Sequence, residues 1–194
     1  FGDPPVSPQD ENTPHNPMTP YGVSKLAAHL LAGLYRRRYG LFCVSGILYN
    51  HESPRRQNYF VTQKIAKAAA EISRGRTEKL KLGILDAKRD WGFAGDFVEG
   101  IWRMLQQDSP GDYILATGET HSIREFLEIA FTHVGHRWEE WVEIDPALVR
   151  PVEVGLLVGN AGRARRILQW EPRVGFADLI RMMVDADLAR VRRE

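Results

Sequence analysis

Tyr21 and Lys25 stand four positions apart in TPYGVSKLAAH, residues 19–29. On an α-helix the side chains at i and i+4 lie on one face, so a phenol and an ammonium spaced this way converge on one small volume. A free phenol titrates near ~10, too high for a base at neutral pH, and a neighbouring cation favours the phenolate. The pair is thus suited to proton transfer. The same spacing also occurs on solvated helix faces, where it contributes only roughly a few tenths of a kcal/mol. Further groups able to hold a ligand are Asn50, His51 and Arg56 in GILYNHESPRR, Val61 and Lys64 in FVTQKI, Arg89 in LDAKRDWG, and Arg150 and Glu153 in RPVEV. Each has an ordinary structural role open to it as well: Asn50 as a strand-ending turn, Lys64 as a solvated helix lysine, Arg89 as the surface partner of Asp90.

These groups need elements to hold them. Residues 3–20 carry six prolines, too dense for regular structure, and read as an ordered surface loop. From Tyr21 to about Arg38 the apolar residues Val23, Leu26, Leu30 and Leu34 recur at helical spacing, and Gly40 ends the helix. LFCVSGILYN has the length and apolar content of a fully buried parallel strand, which places Tyr49 and Asn50 at its carboxyl edge, where open α/β sheets bind ligands. FVTQKIAKAAAEIS reads as a helix with Val61, Ile65, Ala69 and Ile72 on one side. KLKLG, a helix from about Ala94 to Gln107, the strand DYILATG, and a helix opened by the capping box of Ser122 and Glu125 follow. Two terminal helices, near 161–168 and 176–191, complete the alternation expected of an α/β fold.

Composition narrows the function classes. Of the 194 residues 43% are hydrophobic and 26% charged, with a formal charge of +1, a globular balance that speaks against nucleic acid or an anionic membrane as partner. No apolar run reaches the length of a membrane span. The single cysteine, Cys43, has no partner for an intrachain disulfide and fits a reducing cytoplasm. His133 and His136 lack the further ligands a metal site needs, so no metal is expected. The serines Ser24, Ser45 and Ser53 have no nucleophile elbow around them. The chain opens on Phe1, which is read as a start inside a longer protein.

PYGVSK at 20–25 resembles the extended short-chain dehydrogenase/reductase superfamily. With NHESPRR and RDWG, and with ATGETHSIREF, RPVEV and WEPRVGFADL in order along nearly the whole chain, the likeness narrows to the GDP-mannose 4,6-dehydratase family. The resemblance implies a partial Rossmann-like doubly wound parallel sheet with a smaller C-terminal substrate-binding α/β domain. Residues 1–57 and 88–118 would belong to the NADP-binding domain, and 58–87 and 119–194 to the domain that binds GDP-sugar. It implies conversion of GDP-mannose to GDP-4-keto-6-deoxymannose by internal hydride transfer through bound NADP and loss of water.

Carried onto this chain, the family's roles make Tyr21 the base for the C4 hydroxyl and Lys25 the residue that holds the nicotinamide ribose. His51 and Arg56 would contact NADP. Asn50, Val61, Lys64, Arg89, Arg150 and Glu153 would hold the sugar nucleotide. A homodimer or homotetramer in the cytoplasm is implied too, built through the helix after Tyr21 and its neighbour near residue 100. Two departures bear on this. The chain has no GxxGxxG phosphate turn and none of the family's upstream catalytic Thr/Ser and Glu, so alone it is expected to be inactive, with central strands missing and apolar edges exposed. Where the family commonly has Asp after RPxEV and then a Gly-Asp pair, this chain has Gly155 and then Gly159 and Asn160. Another GDP-sugar reductase or epimerase, or a non-catalytic nucleotide-sugar binding fragment, remains an alternative at this level.

Overall fold

The computed structural model describes residues 1–149 and 156–191. The elements run α1 (Pro20–Tyr39), β1 (Ser45–Leu48), β2 (Asn50–Glu52), α2 (Val61–Ile72), β3 (Leu80–Leu82), β4 (Lys88–Arg89), β5 (Trp91–Phe93), α3 (Ala94–Leu105), β6 (Asp112–Leu115), β7 (His121–Ser122), α4 (Ile123–His133), β8 (Val142–Ile144) and α5 (Phe176–Val191). They divide between two compact units. One comprises Phe1–His51, Arg89–Thr120 and Val154–Arg173; the other comprises Glu52–Lys88, His121–Glu153 and Val174–Glu194.

In the first unit β1 and β6 pair in parallel, Ser45 opposite Asp112 and Leu48 opposite Leu115. Successive side chains of a strand point to opposite faces, and β6 uses both. Tyr113 and Leu115 join Phe97, Met104, Ala161, Ala164, Leu168 and Trp170 in one buried cluster. Ile114 and Ala116 pack with Tyr49 in another. The first cluster explains why residues 161–170, grouped with the later segments in the sequence reading, sit in this unit: Trp170 is buried there and its Nε1 donates to the Asp96 carbonyl at 2.7 Å.

The run LFCVSGILYN corrects the expectation of a fully buried strand. Within it Ser45–Leu48 forms β1 and Asn50 only opens β2; the burial of β1 alternates between half-buried and exposed, and Leu41 and Phe42 are exposed. The physical reason is that β1 has β6 on one edge and no strand on the other among the described residues, so it is an edge strand and not enclosed as a central parallel strand is. Helix α1 falls short of burial too. Thr19 caps it by accepting from the Gly22 amide at 3.0 Å, Pro20 occupies its first turn, and Gly40 closes it at φ 63°, a left-handed conformation that glycine adopts without strain. Yet none of its residues is fully buried, and Val23, Leu30 and Leu34 of the apolar stripe are exposed.

The proline-rich segment is irregular but anchored. Gln9 is fully buried; its side-chain oxygen accepts from the Tyr49 hydroxyl at 2.7 Å and the Val158 amide at 3.0 Å. Glu11 accepts from the Ile114 amide at 2.9 Å, satisfying a donor on the far side of β6.

The second unit packs α2, α4 and α5 on one another beside the parallel pair β3 and β8. Ala66, Ala68, Ala69 and Ala70 of α2 are buried, which lets helices approach closely around Ile65, Phe126, Phe131, Leu179 and Met183. A buried polar link joins α2 to α5, Gln63 Nε2 donating to Asp187 at 2.6 Å. The predicted capping box is present: Ser122 Oγ accepts from the Glu125 amide at 3.1 Å, and the Glu125 carboxylate accepts from the Ser122 amide at 2.6 Å. That backbone bond is the main cause holding the Glu125 carboxyl below its usual range.

Ser122→Ala is therefore expected to cost about 1 kcal/mol in urea unfolding. Because the Glu125 pKa is depressed, its share of the stability is present above the unfolded value of ~4.3 and is lost as the pH falls through the folded one. A stability profile of Glu125→Gln parallel to that of the parent between pH 3 and 6 would refute this.

Candidate functional site

The first two turns of α1 present Tyr21 and Lys25 together. The Lys25 ammonium lies 5.5 Å from the centre of the Tyr21 ring, and the tyrosine is 71% exposed. Ser24 Oγ donates to the Tyr21 carbonyl at 2.7 Å, tightening the turn on which the phenol stands. The phenol oxygen has no hydrogen-bond partner among the described residues and is open to a ligand.

Three further candidate residues lie in the same unit. Asn50 is exposed at the start of β2, just past the carboxyl end of β1. His51, next to it, is half-buried; its Nδ1 lies 2.9 Å from the Tyr49 carbonyl and its ring stacks on Phe97 with centroids 5.2 Å apart. Burial is the larger cause, and the Asp90 carboxylate the lesser, that raises the pKa of the Tyr49 phenol and keeps it protonated. Arg89 is half-buried at the end of β4, and Asp90 beside it is 1% exposed. Asp90 accepts from the Thr117 amide at 2.9 Å, the Thr117 hydroxyl at 2.6 Å, and the Gly118 and Gly159 amides at 3.0 and 3.2 Å. Gly159 can come so close because it lacks a Cβ, which would fall 2.2 Å from that of Ala116.

The second unit holds the other described candidates. Arg56 is braced twice: its Nε is 3.0 Å from Glu52, and its guanidinium carbon is 3.4 Å from the Phe60 ring centre. Glu52 is 2% exposed and accepts from the Thr62 hydroxyl at 2.8 Å. Burial raises its pKa, while the Thr62 bond and the Arg56 charge oppose the rise. Val61 begins α2 half-buried, and Lys64 is exposed one turn on. Arg150 and Glu153 lie outside the described residues.

The sequence reading did not single out Glu52, Asp90, Gln9 or Phe97 as site supports. Only Glu52 offered a signal, as a carboxylate four positions before Arg56. Among the described residues no group of three or more His, Cys, Asp or Glu side chains is arranged to hold a metal ion.

This geometry can be set beside known proteins. A family model described as GDP-mannose 4,6 dehydratase matches residues 1–183. The chain belongs to the GDP-mannose 4,6-dehydratase family. It is 52% identical over 194 residues to GDP-mannose 4,6 dehydratase 2 of Arabidopsis thaliana, covering 100% of this chain and 52% of that protein. To the human GDP-mannose 4,6 dehydratase it is 46% identical over 202 residues, covering 95% of this chain and 54% of that one. The chain thus spans about half the length of these curated relatives. In fold it is similar to RMD from Pseudomonas aeruginosa complexed with NADPH, with a TM-score of 0.84 at 24% identity over 95% of this chain and 61% of that one. A UDP-glucose 4-epimerase of Thermus thermophilus, complexed with NAD, superposes with a TM-score of 0.81 at 28% identity over 96% of this chain and 60% of that one. The fold is α/β with parallel strand pairs, part of a Rossmann-like architecture.

Proposed function

We propose that the protein carrying this chain is a GDP-mannose 4,6-dehydratase that uses NADP, a lyase removing water from the sugar to give GDP-4-keto-6-deoxymannose. The observation that carries the reading is the Tyr21 and Lys25 pair, side by side at the exposed opening of α1 in a chain of this family. Tyr21 takes the proton of the C4 hydroxyl. Lys25 places positive charge beside the phenol and holds the nicotinamide ribose.

The residues present suit such a cofactor. In the first unit Lys25 is exposed on α1, and His51 is held by the Tyr49 carbonyl. In the second, Glu52 and Phe60 occupy the Nε edge and one face of Arg56, leaving its terminal amino groups for an anion. The bound nicotinamide supplies the acceptance and return of a hydride. Asn50, Arg89, Val61 and Lys64, with Arg150 and Glu153, are assigned to the sugar nucleotide, whose diphosphate calls for amide donors and cations.

Self-association belongs to the same reading. Leu30, Leu31, Leu34 and Tyr35 on α1 and Val98, Trp102 and Leu105 on α3 are exposed, an apolar surface of the kind subunits cover in a homodimer or homotetramer. A cytoplasmic location accompanies it; among the described residues no helix is long and apolar enough to cross a membrane.

The deciding experiment incubates the gene product carrying these residues with GDP-mannose and NADP and weighs the sugar nucleotide. Loss of one water is expected, and an unchanged mass sinks the assignment. Arg89→Ala should raise KM about tenfold or more, the worth of a charged hydrogen bond, with little change in kcat. An unaltered KM would remove Arg89 from the substrate site.

A further inference from the structure

We propose that His51 meets its ligand as a hydrogen-bond acceptor through Nε2, and so takes a hydroxyl or an amide N–H and not a phosphate. This rests on the cofactor reading above. The Tyr49 carbonyl oxygen, 2.9 Å from Nδ1, carries lone pairs and no hydrogen, so Nδ1 must be the ring's N–H donor. In the neutral imidazole the other nitrogen then keeps its lone pair. Nε2 has no protein partner among the described residues.

The orientation is held from several sides. Tyr49 cannot shift easily: its amide donates to the Leu115 carbonyl at 3.0 Å and its hydroxyl to Gln9 at 2.7 Å. The imidazole lies against Phe97, and turning it over would replace the Nδ1–H donor with a carbon facing the carbonyl. Phe97 is itself 1% exposed and meets Trp170 edge-on at 5.7 Å, so it acts as a positioning residue for His51. A phosphate at neutral pH presents acceptors only, and an acceptor nitrogen repels it. A dinucleotide such as NADP offers two kinds of donor, the ribose hydroxyls and the carboxamide N–H.

Two measurements test this. In the gene product labelled with 15N-histidine, NMR at neutral pH should show His51, assigned by its loss in His51→Asn, protonated at Nδ1 and bare at Nε2; the opposite tautomer overturns the proposal. In the gene product carrying the chain, His51→Asn keeps an N–H near the δ position and drops the acceptor at ε. It should weaken NADP binding about tenfold, the worth of one neutral hydrogen bond, with the melting temperature unchanged. His51→Gln keeps an oxygen near the ε position and should stay within about threefold of the parent.

Normal NADP affinity in His51→Asn overturns this proposal alone. Failure of the parent to bind NADP overturns the cofactor reading and this one with it. The 3-acetylpyridine analogue of NADP, which lacks the amide N–H, separates the two donors. A matching loss of affinity in the parent assigns the contact to the carboxamide, and full affinity assigns it to a ribose hydroxyl.

Discussion

Tyr21→Phe is expected to lower turnover of GDP-mannose by about a thousandfold, roughly 4 kcal/mol of barrier, the ordinary worth of a positioned proton acceptor. Phenylalanine keeps the ring and removes only the oxygen proposed to receive the C4 proton. The stability of the fold should hardly change, because that ring is 71% exposed and its oxygen bonds no described residue. GDP-mannose affinity should also stay within about twofold, since the lost contact is one that strengthens only as the proton moves. The informative readout is therefore the split between kcat and binding, measured by single-turnover mass analysis beside equilibrium titration. A variant that retains the full rate would exclude Tyr21 as the base. A variant that loses binding in step with rate would make it a contact residue instead. Lys25→Met should act on the same step, because its ammonium, 5.5 Å from the ring centre, places positive charge beside the developing phenolate.

What could be read from the chain follows the range of the interactions involved. The Tyr21 and Lys25 pair, the Ser122 and Glu125 cap, and the α2 face of Ile65, Ala69 and Ile72 all depend on residues within one or two helical turns, so spacing alone displays them. Whether an apolar run is buried depends on what lies beside it. LFCVSGILYN has the composition of a central strand, but its strand β1 has one neighbouring strand among the described residues, and composition carries no signal of that. Asp90 was hidden for the same reason. In RDWG it looks like the surface mate of Arg89, whereas its described partners stand 27, 28 and 69 positions away. Glu52 and Gln9 are likewise polar residues whose burial comes from distant chain, Gln9 through backbone near residue 158. The family motifs pointed to the residues proposed to touch a ligand; the groups that hold those residues in place had to be seen in space.

Asp90 carries the largest expected effect on stability. Its carboxylate is 1% exposed and gathers four donors, from Thr117, Gly118 and Gly159, around one charge. Asp90→Ala removes every acceptor at once, leaving the buried Gly159 amide and the half-buried Thr117 donors without this partner. Each such orphan costs ~1–3 kcal/mol, so a total near 4 kcal/mol and a fall of roughly 10 °C in Tm are expected. Thr117→Val removes one donor and leaves the others satisfied, and should cost only about 1 kcal/mol. Asp90→Asn tests whether charge matters beyond shape: an amide nitrogen turned toward backbone N–H groups repels them, so asparagine should recover less than half of the alanine loss. If Asp90→Ala melts within about 2 °C of the parent, the four bonds are not holding the unit together. The consequence for the site follows from where the bonds lie. They tie Asp90, the residue after Arg89, to the turn that follows β6 and to the strand-like segment at Gly159, and so fix the backbone next to Arg89. At a temperature where Asp90→Asn remains folded, KM for GDP-mannose should therefore rise while kcat holds, because a displaced Arg89 weakens substrate binding without touching the Tyr21 oxygen.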